Sequence, residues 1–281
     1  MSVSTAGRAR RPGWSAVREG WSTAGITALG EMLSPSRLTG AAARMSVQLF
    51  LVVCLWHALY TDTETSGGLD EGQAVAYGVL AVLALRLRDT DRWIGRDMVI
   101  QQIEFGTIVY WFLRPLAPWR YYLRRAVGDQ LYGFAWAAAG YVVCLLAGVM
   151  DPPPSAGAAG AFAVTFLLGQ SVLYYLVLLT DQMCFWAVRN DSAVEILQFA
   201  QNLLSGGYAA LWYFPGWFQT MSALLPFQAT LSVPLSFYVG RLPVDDLPRH
   251  LAVQLFWVVS LAALTRLVWR RAEHRVVSQG G

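Results

Sequence analysis

The histidines and a carboxylate beside an apolar segment are the first candidates for chemistry. His57, His250 and His274 are far apart in the sequence, so no two of them have the helical spacing of a metal site. We interpret His57, near the end of an apolar segment, as an interfacial or packing residue rather than a ligand. Asp181 also ends an apolar segment, and we interpret it as a solvated boundary residue rather than part of a buried proton relay. These residues predict neither a catalytic centre nor a metal site.

Cysteine and lysine usage excludes further kinds of site. Cys54, Cys144 and Cys184 lie in or beside apolar segments without a CxxC pair, which supports neither a disulfide framework nor a zinc site. All 21 basic residues are arginine. A Walker A motif requires a lysine, so the chain cannot hydrolyse ATP by that route alone. HExxH and GxSxG motifs are absent too. We therefore expect a chain that is not catalytic alone and binds no cofactor itself.

The composition is typical of a membrane protein. Apolar residues make up 56% of the chain and charged residues 14%, against about 25% charged in an ordinary soluble domain. A helix needs about 20 apolar residues to cross the hydrocarbon layer. Six segments meet or approach this length, which predicts an all-α membrane domain over residues 45–270. The six predicted spans are 45–61, 73–87, 131–150, 156–180, 196–214 and 251–269.

The distribution of arginine predicts the orientation. Nineteen arginines lie in the two tails and in alternate loops, whereas Arg241 and Arg249 lie in the remaining loops. Because loops rich in basic residues stay on the cytoplasmic side, both termini and the loop 88–130 are predicted inside. The loop 214–250 is predicted outside, and residues 271–281 form a cytoplasmic tail.

The amino-terminal tail, residues 1–44, contains an amphipathic pattern. Trp14 and Trp21 belong to a series of apolar residues spaced by three and four over residues 14–33. This spacing predicts a helix that lies in the inner membrane interface. The alternative is a poorly ordered tail that contains two tryptophans.

The long inner loop, 88–130, mixes arginines with aromatic residues. One interpretation is a basic anchor for anionic lipid headgroups. The other is a docking element for a cytoplasmic partner, because Glu104 followed by Gly106 offers a charge beside a backbone turn that lipid attraction does not explain.

The outer loop is too apolar for an exposed connection and too rich in proline for a full crossing. Phe214 and Pro215 begin this pattern, and Pro226 and Phe227 repeat it in reverse order. One prediction is a reentrant segment that dips into the outer leaflet, shielded by protein. The alternative is a surface loop with aromatic interface anchors.

These two loops resemble those of the membrane subunits of ABC-2 type ATP-binding-cassette exporters. The inner loop reads Gln-Ile-Glu-Phe-Gly-Thr-Ile at 102–108 and Leu-Arg-Pro-Leu at 113–116. The outer loop has Phe-Pro, then Leu-Pro-Phe, and then Pro234 and Gly240. In this order, on six predicted spans with both ends inside, the motifs resemble this family over nearly the whole chain.

The resemblance implies an exporter permease that forms half of a translocation path. Its partners would be two ABC ATPase subunits, which carry ATP and magnesium, and a second permease, homologous or identical. Membrane lipids are further expected contacts, and nucleic acid is not. The expected location is the plasma membrane of a bacterium.

The resemblance also assigns candidate residues. Residues 14–33, with Trp14 and Trp21, would be the connecting helix that touches the ATPases. The inner loop would contain the coupling helix, and its candidate coupling residues are Arg96, Glu104, Gly106, Arg114 and Pro115.

The alternative to a permease is a non-transporting membrane protein, either a scaffold or a lipid-modifying enzyme. The spans have no constellation of histidines or carboxylates for such chemistry, which favours the permease.

Overall fold

The computed structural model describes residues 35–61, 68–85, 87, 133–183, 186 and 191–279, apart from the side chains of 35–38, 41, 191, 194 and 272–279. These residues are mostly helical, and we number their helices in chain order. The helices are α1 (Pro35–Tyr60), α2 (Glu71–Leu85), α3 (Gly133–Leu146), α4 (Ala156–Gln182), α5 (Asp191–Leu204), α6 (Gly216–Ala223), α7 (Ser232–Tyr238) and α8 (Leu247–Gln279). Short 3-10 turns lie at Leu211–Tyr213, Gln228–Thr230 and Val244–Asp246.

Three of the described helices are long and apolar enough to cross a membrane. The qualifying stretches are Ala42–Tyr60, Ala156–Gln182 and Val244–Arg271. They coincide with the first, fourth and sixth predicted spans, which are thereby confirmed as apolar helices of spanning length. The helices near the other three predicted spans are shorter; α5 has 14 residues, or about 21 Å of helix. The count of six spans therefore stays a prediction.

Helix α5 ends ten residues before the predicted end at Phe214. Gly206 has a φ of +79°, a conformation that favours glycine. The amide of Gly207 donates to the carbonyl of Asn202 at 2.9 Å, and the amide of Gly206 donates to that of Leu203 at 3.4 Å. This pair of bonds is a Schellman motif, which satisfies the last carbonyls and stops the helix.

Helix α3 ends in the same way, four residues before the predicted end at 150. Gly148 has a φ of +65°. The amide of Val149 donates to the carbonyl of Cys144 at 3.0 Å, and that of Gly148 to Leu145 at 3.1 Å. Apolar composition continued past both glycines, which is why the predicted spans were too long.

Side chains cap the beginnings of α2 and α4. The Gln73 amide donates to Oδ1 of Asp70 at 2.8 Å, while the side-chain oxygen of Gln73 accepts from the Asp70 amide at 3.1 Å. This reciprocal pair is a capping box. At α4, the hydroxyl of Ser155 accepts from the amide of Ala158 at 3.1 Å. Both helices therefore begin where their caps lie.

Helix α2 contributes half of the buried residues of a large apolar cluster. Its side chains pack with residues of α1, α3, α4 and α7. Gly78 allows α1 to approach, because a Cβ there would collide with the indole of Trp56. Gly140 likewise allows α3 to approach α2, since a Cβ at this position would lie 2.7 Å from Cδ2 of Leu83. Small residues on α2 and α3 thus permit close helix packing.

Candidate functional site

The predicted site residues fall into two groups. The coupling and connecting-helix candidates lie outside the described residues; they are Trp14, Trp21, Arg96, Glu104, Gly106, Arg114 and Pro115. Phe214, Pro215, Pro226 and Phe227 lie in a described stretch between α5 and α8, which we call the 214–246 segment.

The first part of the 214–246 segment packs on the end of α5. The rings of Phe214 and Phe218 stack with centroids 4.6 Å apart, and both join an apolar cluster with Leu204. Pro215 precedes α6, and its carbonyl accepts from the Phe218 amide at 2.9 Å. The hydroxyl of Ser222 donates to the Leu204 carbonyl at 2.6 Å. Helix α6 is therefore fastened to α5 by both apolar and polar contacts.

Pro226 and Phe227 lead into the 3-10 turn Gln228–Thr230. The hydroxyl of Thr230 donates to the Phe227 carbonyl at 2.7 Å, and the same hydroxyl accepts from Nε2 of Gln201 at 2.7 Å. Gln201 belongs to α5 and is 4% exposed. The turn is thus hydrogen-bonded both to itself and to α5.

Gln254 of α8 holds the same turn from another side. Its Nε2 donates to the carbonyl of Ala229 at 2.7 Å and to the carbonyl of Thr165 in α4 at 2.8 Å. Gly169 of α4 lies directly against this turn, since a Cβ there would be 2.8 Å from the Thr230 carbonyl oxygen. Three helices, α4, α5 and α8, therefore meet at the peptide between Ala229 and Thr230.

Helix α7, in the second part of the 214–246 segment, is buried in protein. All seven residues of α7 are buried. Phe237 and Val233 pack on Ala161 of α4, and Nε2 of Gln73 donates to the carbonyl of Val239 at 2.9 Å. Such burial does not fit an ordinary exposed loop. The depth of the segment in the membrane stays a prediction.

An aromatic cluster joins the end of α1 and the middle of α2 to the turn after α5. The ring centroids of Trp56 and Tyr213 are 5.8 Å apart, and those of Tyr77 and Trp212 are 4.9 Å apart. The guanidinium carbon of Arg241 lies 4.5 Å from the centre of the Trp212 ring, within cation–π range. Tyr77 also donates from its hydroxyl to the Gly206 carbonyl at 3.1 Å. Residues far apart in sequence therefore form one aromatic cluster.

The sequence interpretation missed the buried glutamines. Gln170, Gln182, Gln201 and Gln254 are each at most 5% exposed and lie in apolar helices. Within the described ranges, side-chain oxygens of all four lack a hydrogen-bond partner. A glutamine inside an apolar segment was the available signal, because a polar side chain in such a place needs partners.

His57 and Asp181, the two residues at the ends of predicted spans, differ in their exposure. His57 is exposed and forms a short contact with Glu71, consistent with an interfacial residue. The interpretation of Asp181 as solvated is wrong, because its side chain is only 2% exposed. Packing around the end of α4 encloses this residue although it ends the apolar run. Among the described residues, no group of three His, Cys, Asp or Glu side chains could hold a metal ion.

These contacts describe a packed helical framework with buried polar junctions rather than a nucleophile with a base. A comparison with protein families matches ABC-2 family transporter protein over residues 46–280. No curated protein and no solved structure gives a significant match. The family match covers both the described helices and the inner loop with its Glu104 and Leu-Arg-Pro sequence. The chain therefore belongs to the ABC-2 transporter family and is a membrane permease component.

Proposed function

We propose that the chain is the permease subunit of an ABC exporter and forms half of a substrate path driven by separate ATPase subunits. The observation that carries this proposal is the family match over residues 46–280. The absence of lysine, and so of a Walker A motif, supports an ATPase on another chain. The arginine distribution supports cytoplasmic termini, where such a partner would bind.

A second permease, identical or homologous, would complete the path. Helix α1 supports this proposal because none of its most apolar window is buried within the single chain. Phe50 is 67% exposed and Leu51 58% exposed on this helix. An apolar helix face of this kind suits either a second permease or lipid.

The path would run beside α1, α2 and α5. In the aromatic cluster, Trp56 lies near the end of α1 and packs on Tyr213, which follows α5, is 37% exposed and would line the outer mouth. The buried Tyr77 packs against Trp212 in the same cluster. Walls of aromatic side chains favour an apolar or amphiphilic substrate.

Coupling would take place at the inner face. The predicted helix at 14–33 and the region from Arg96 to Pro115 would contact the ATPases, with Glu104 and Arg114 at the contact or bracing it. ATP binding would close the ATPase dimer, and these contacts would shift the permeases from inward-open to outward-open. ATP shifts this equilibrium only by the difference in its affinity for the two states.

The test is association with an ATPase. The tagged chain is co-expressed with a candidate ABC ATPase from the same genome, purified, and assayed for the bound ATPase and for ATP hydrolysis. We expect co-purification that Glu104→Arg reduces, because the charge at the coupling contact is reversed. Asp245→Arg is the matched control, since Asp245 is exposed at the predicted outer face.

Equal ATPase binding by the parent and by Glu104→Arg would show that the coupling assignment is wrong. Failure of any ATPase to bind, with turnover of a lipid by the purified chain alone, would instead support the lipid-modifying enzyme.

A further inference from the structure

Gln201 and Gln254 hold the same turn, but releasing them would have different consequences. If Gln254 withdrew, the carbonyl of Ala229 would lose the donor at 2.7 Å inside the protein. If Gln201 withdrew, the hydroxyl of Thr230 would keep its bond to the Phe227 carbonyl at 2.7 Å. In either case the buried side-chain amide of the glutamine itself loses its bond to the turn, so the two contacts differ in the carbonyl of Ala229. Because a buried polar group without a partner is costly, the contact of Gln201 is the easier one to break.

The surroundings of the turn support the same distinction. The Gln254 side chain bonds a backbone carbonyl of the turn and one of α4, and the backbone of α4 at Gly169 lies directly against the backbone of the turn. Gln201 reaches the turn through two side chains, its own and that of Thr230. Side chains can change rotamer without moving the backbone, whereas the contact at Gly169 leaves no room for such adjustment.

The end of α5 has further hydrogen bonds that do not involve the turn. The Gly206 carbonyl accepts from Tyr77 of α2 at 3.1 Å, and the Leu204 carbonyl accepts from Ser222 of α6 at 2.6 Å. Helix α5 would therefore keep these partners if it separated from the turn.

We propose that Gln254 is a fixed positioning residue and Gln201 a releasable one. Helix α5 shifts relative to α4 and α8 by breaking the bond between Gln201 and Thr230, while Gln254 and Gly169 keep the Ala229–Thr230 peptide in place. The inference rests on the proposed function in one respect: we assign the shift of α5 to the transport cycle.

Spin-label distances test the inference on the full chain in lipid nanodiscs. The labels are attached at Ile196→Cys on α5 and Val253→Cys on α8, which are 69% and 43% exposed. Cys54, Cys144 and Cys184 are first replaced by serine, and labelled chains are diluted with unlabelled chains to suppress distances between copies. Pulsed electron paramagnetic resonance then gives the distance distribution between the two helices.

Gln201→Met should enlarge a second distance population about threefold, the change expected from losing one interhelical hydrogen bond in a membrane. Gln170→Met is the matched control. Gln170 is buried like Gln201, at 5% against 4% exposed, but neither of its amide atoms has a hydrogen-bond partner in the described residues. The distance distribution of Gln170→Met should therefore equal that of the parent. Thr230→Ser, which keeps the hydroxyl, should also equal the parent.

Gln254→Met should instead lower the thermal unfolding midpoint of the chain more than Gln201→Met does. An unchanged distribution in Gln201→Met would overturn the inference, and so would the same second population in Gln170→Met.

A final arm adds the ATPase with ATP and vanadate, which should enlarge the second population of the parent. A different result is that the variants give the expected distance distributions without the ATPase while ATP and vanadate leave the parent unchanged. That result would contradict the proposed function but would still support Gln201 as a releasable contact.

Discussion

Gly169 and Thr230 are in contact at a point where α4 has no room for a side chain. A Cβ at position 169 would lie 2.8 Å from the carbonyl oxygen of Thr230 and 2.9 Å from that of Ala229. Both atoms belong to the backbone of a turn that Gln254 also holds, so neither can move independently. The lack of a side chain at Gly169 thus allows α4 and the 214–246 segment to lie at this distance.

Gly169→Ala should therefore destabilise the chain. The added methyl group must displace the backbone of the turn, and overpacking of this kind costs about 1–3 kcal/mol. Thermal unfolding of the purified chain in detergent measures the loss. Gly160→Ala is the control on the same helix, since nothing lies within 4 Å of a Cβ there. Equal unfolding midpoints for the two variants would show that the turn does not press on Gly169.

Gly206→Ala should lower the stability more than Gly148→Ala. Both glycines end helices with positive φ, at +79° and +65°, so both substitutions strain the backbone by about 1 kcal/mol. At Gly206 the added Cβ would also lie 2.6 Å from the hydroxyl of Tyr77, whereas Gly148 has nothing within 4 Å. The difference between the two unfolding midpoints measures the packing of Tyr77 on the end of α5. No difference would mean that Tyr77 moves aside freely.

Ser155→Ala should weaken the beginning of α4 by about 1 kcal/mol, because the amide of Ala158 loses its side-chain acceptor. Ser155→Asp keeps an acceptor at the same place and should retain the parent's stability. Hydrogen exchange of the first turn of α4 provides the measurement. The assignment of Ser155 as the cap is wrong if alanine and aspartate give the same exchange rates.

The sequence predicted the long helices better than the junctions between them. The apolar runs in α1, α4 and α8 are continuous, so length and composition were sufficient. The ends of α3 and α5 were missed because Gly148 and Gly206 stop the helices inside stretches that remain apolar.

The polar junction at the 214–246 segment was not predictable from local pattern. Gln254 contacts residues 89 and 25 positions away in the sequence. The burial of Asp181 likewise depends on tertiary packing, which the end of an apolar run does not reveal. The inner-loop motif, by contrast, pointed to the family that the comparison confirms.

We expect ATP on a partner chain to change the accessibility of a path beside α1, α2 and α5. Its most direct measurement is maleimide labelling of Tyr213→Cys in the complex with the ATPase, in a chain without its native cysteines. Val244→Cys is the control, since Tyr213 and Val244 are similarly exposed, at 37% and 39%. We predict a several-fold difference in the labelling rate of Tyr213→Cys between the ADP state and the ATP–vanadate state, with no change at Val244→Cys. Equal labelling of Tyr213→Cys in both nucleotide states would show that ATP does not change access to this path.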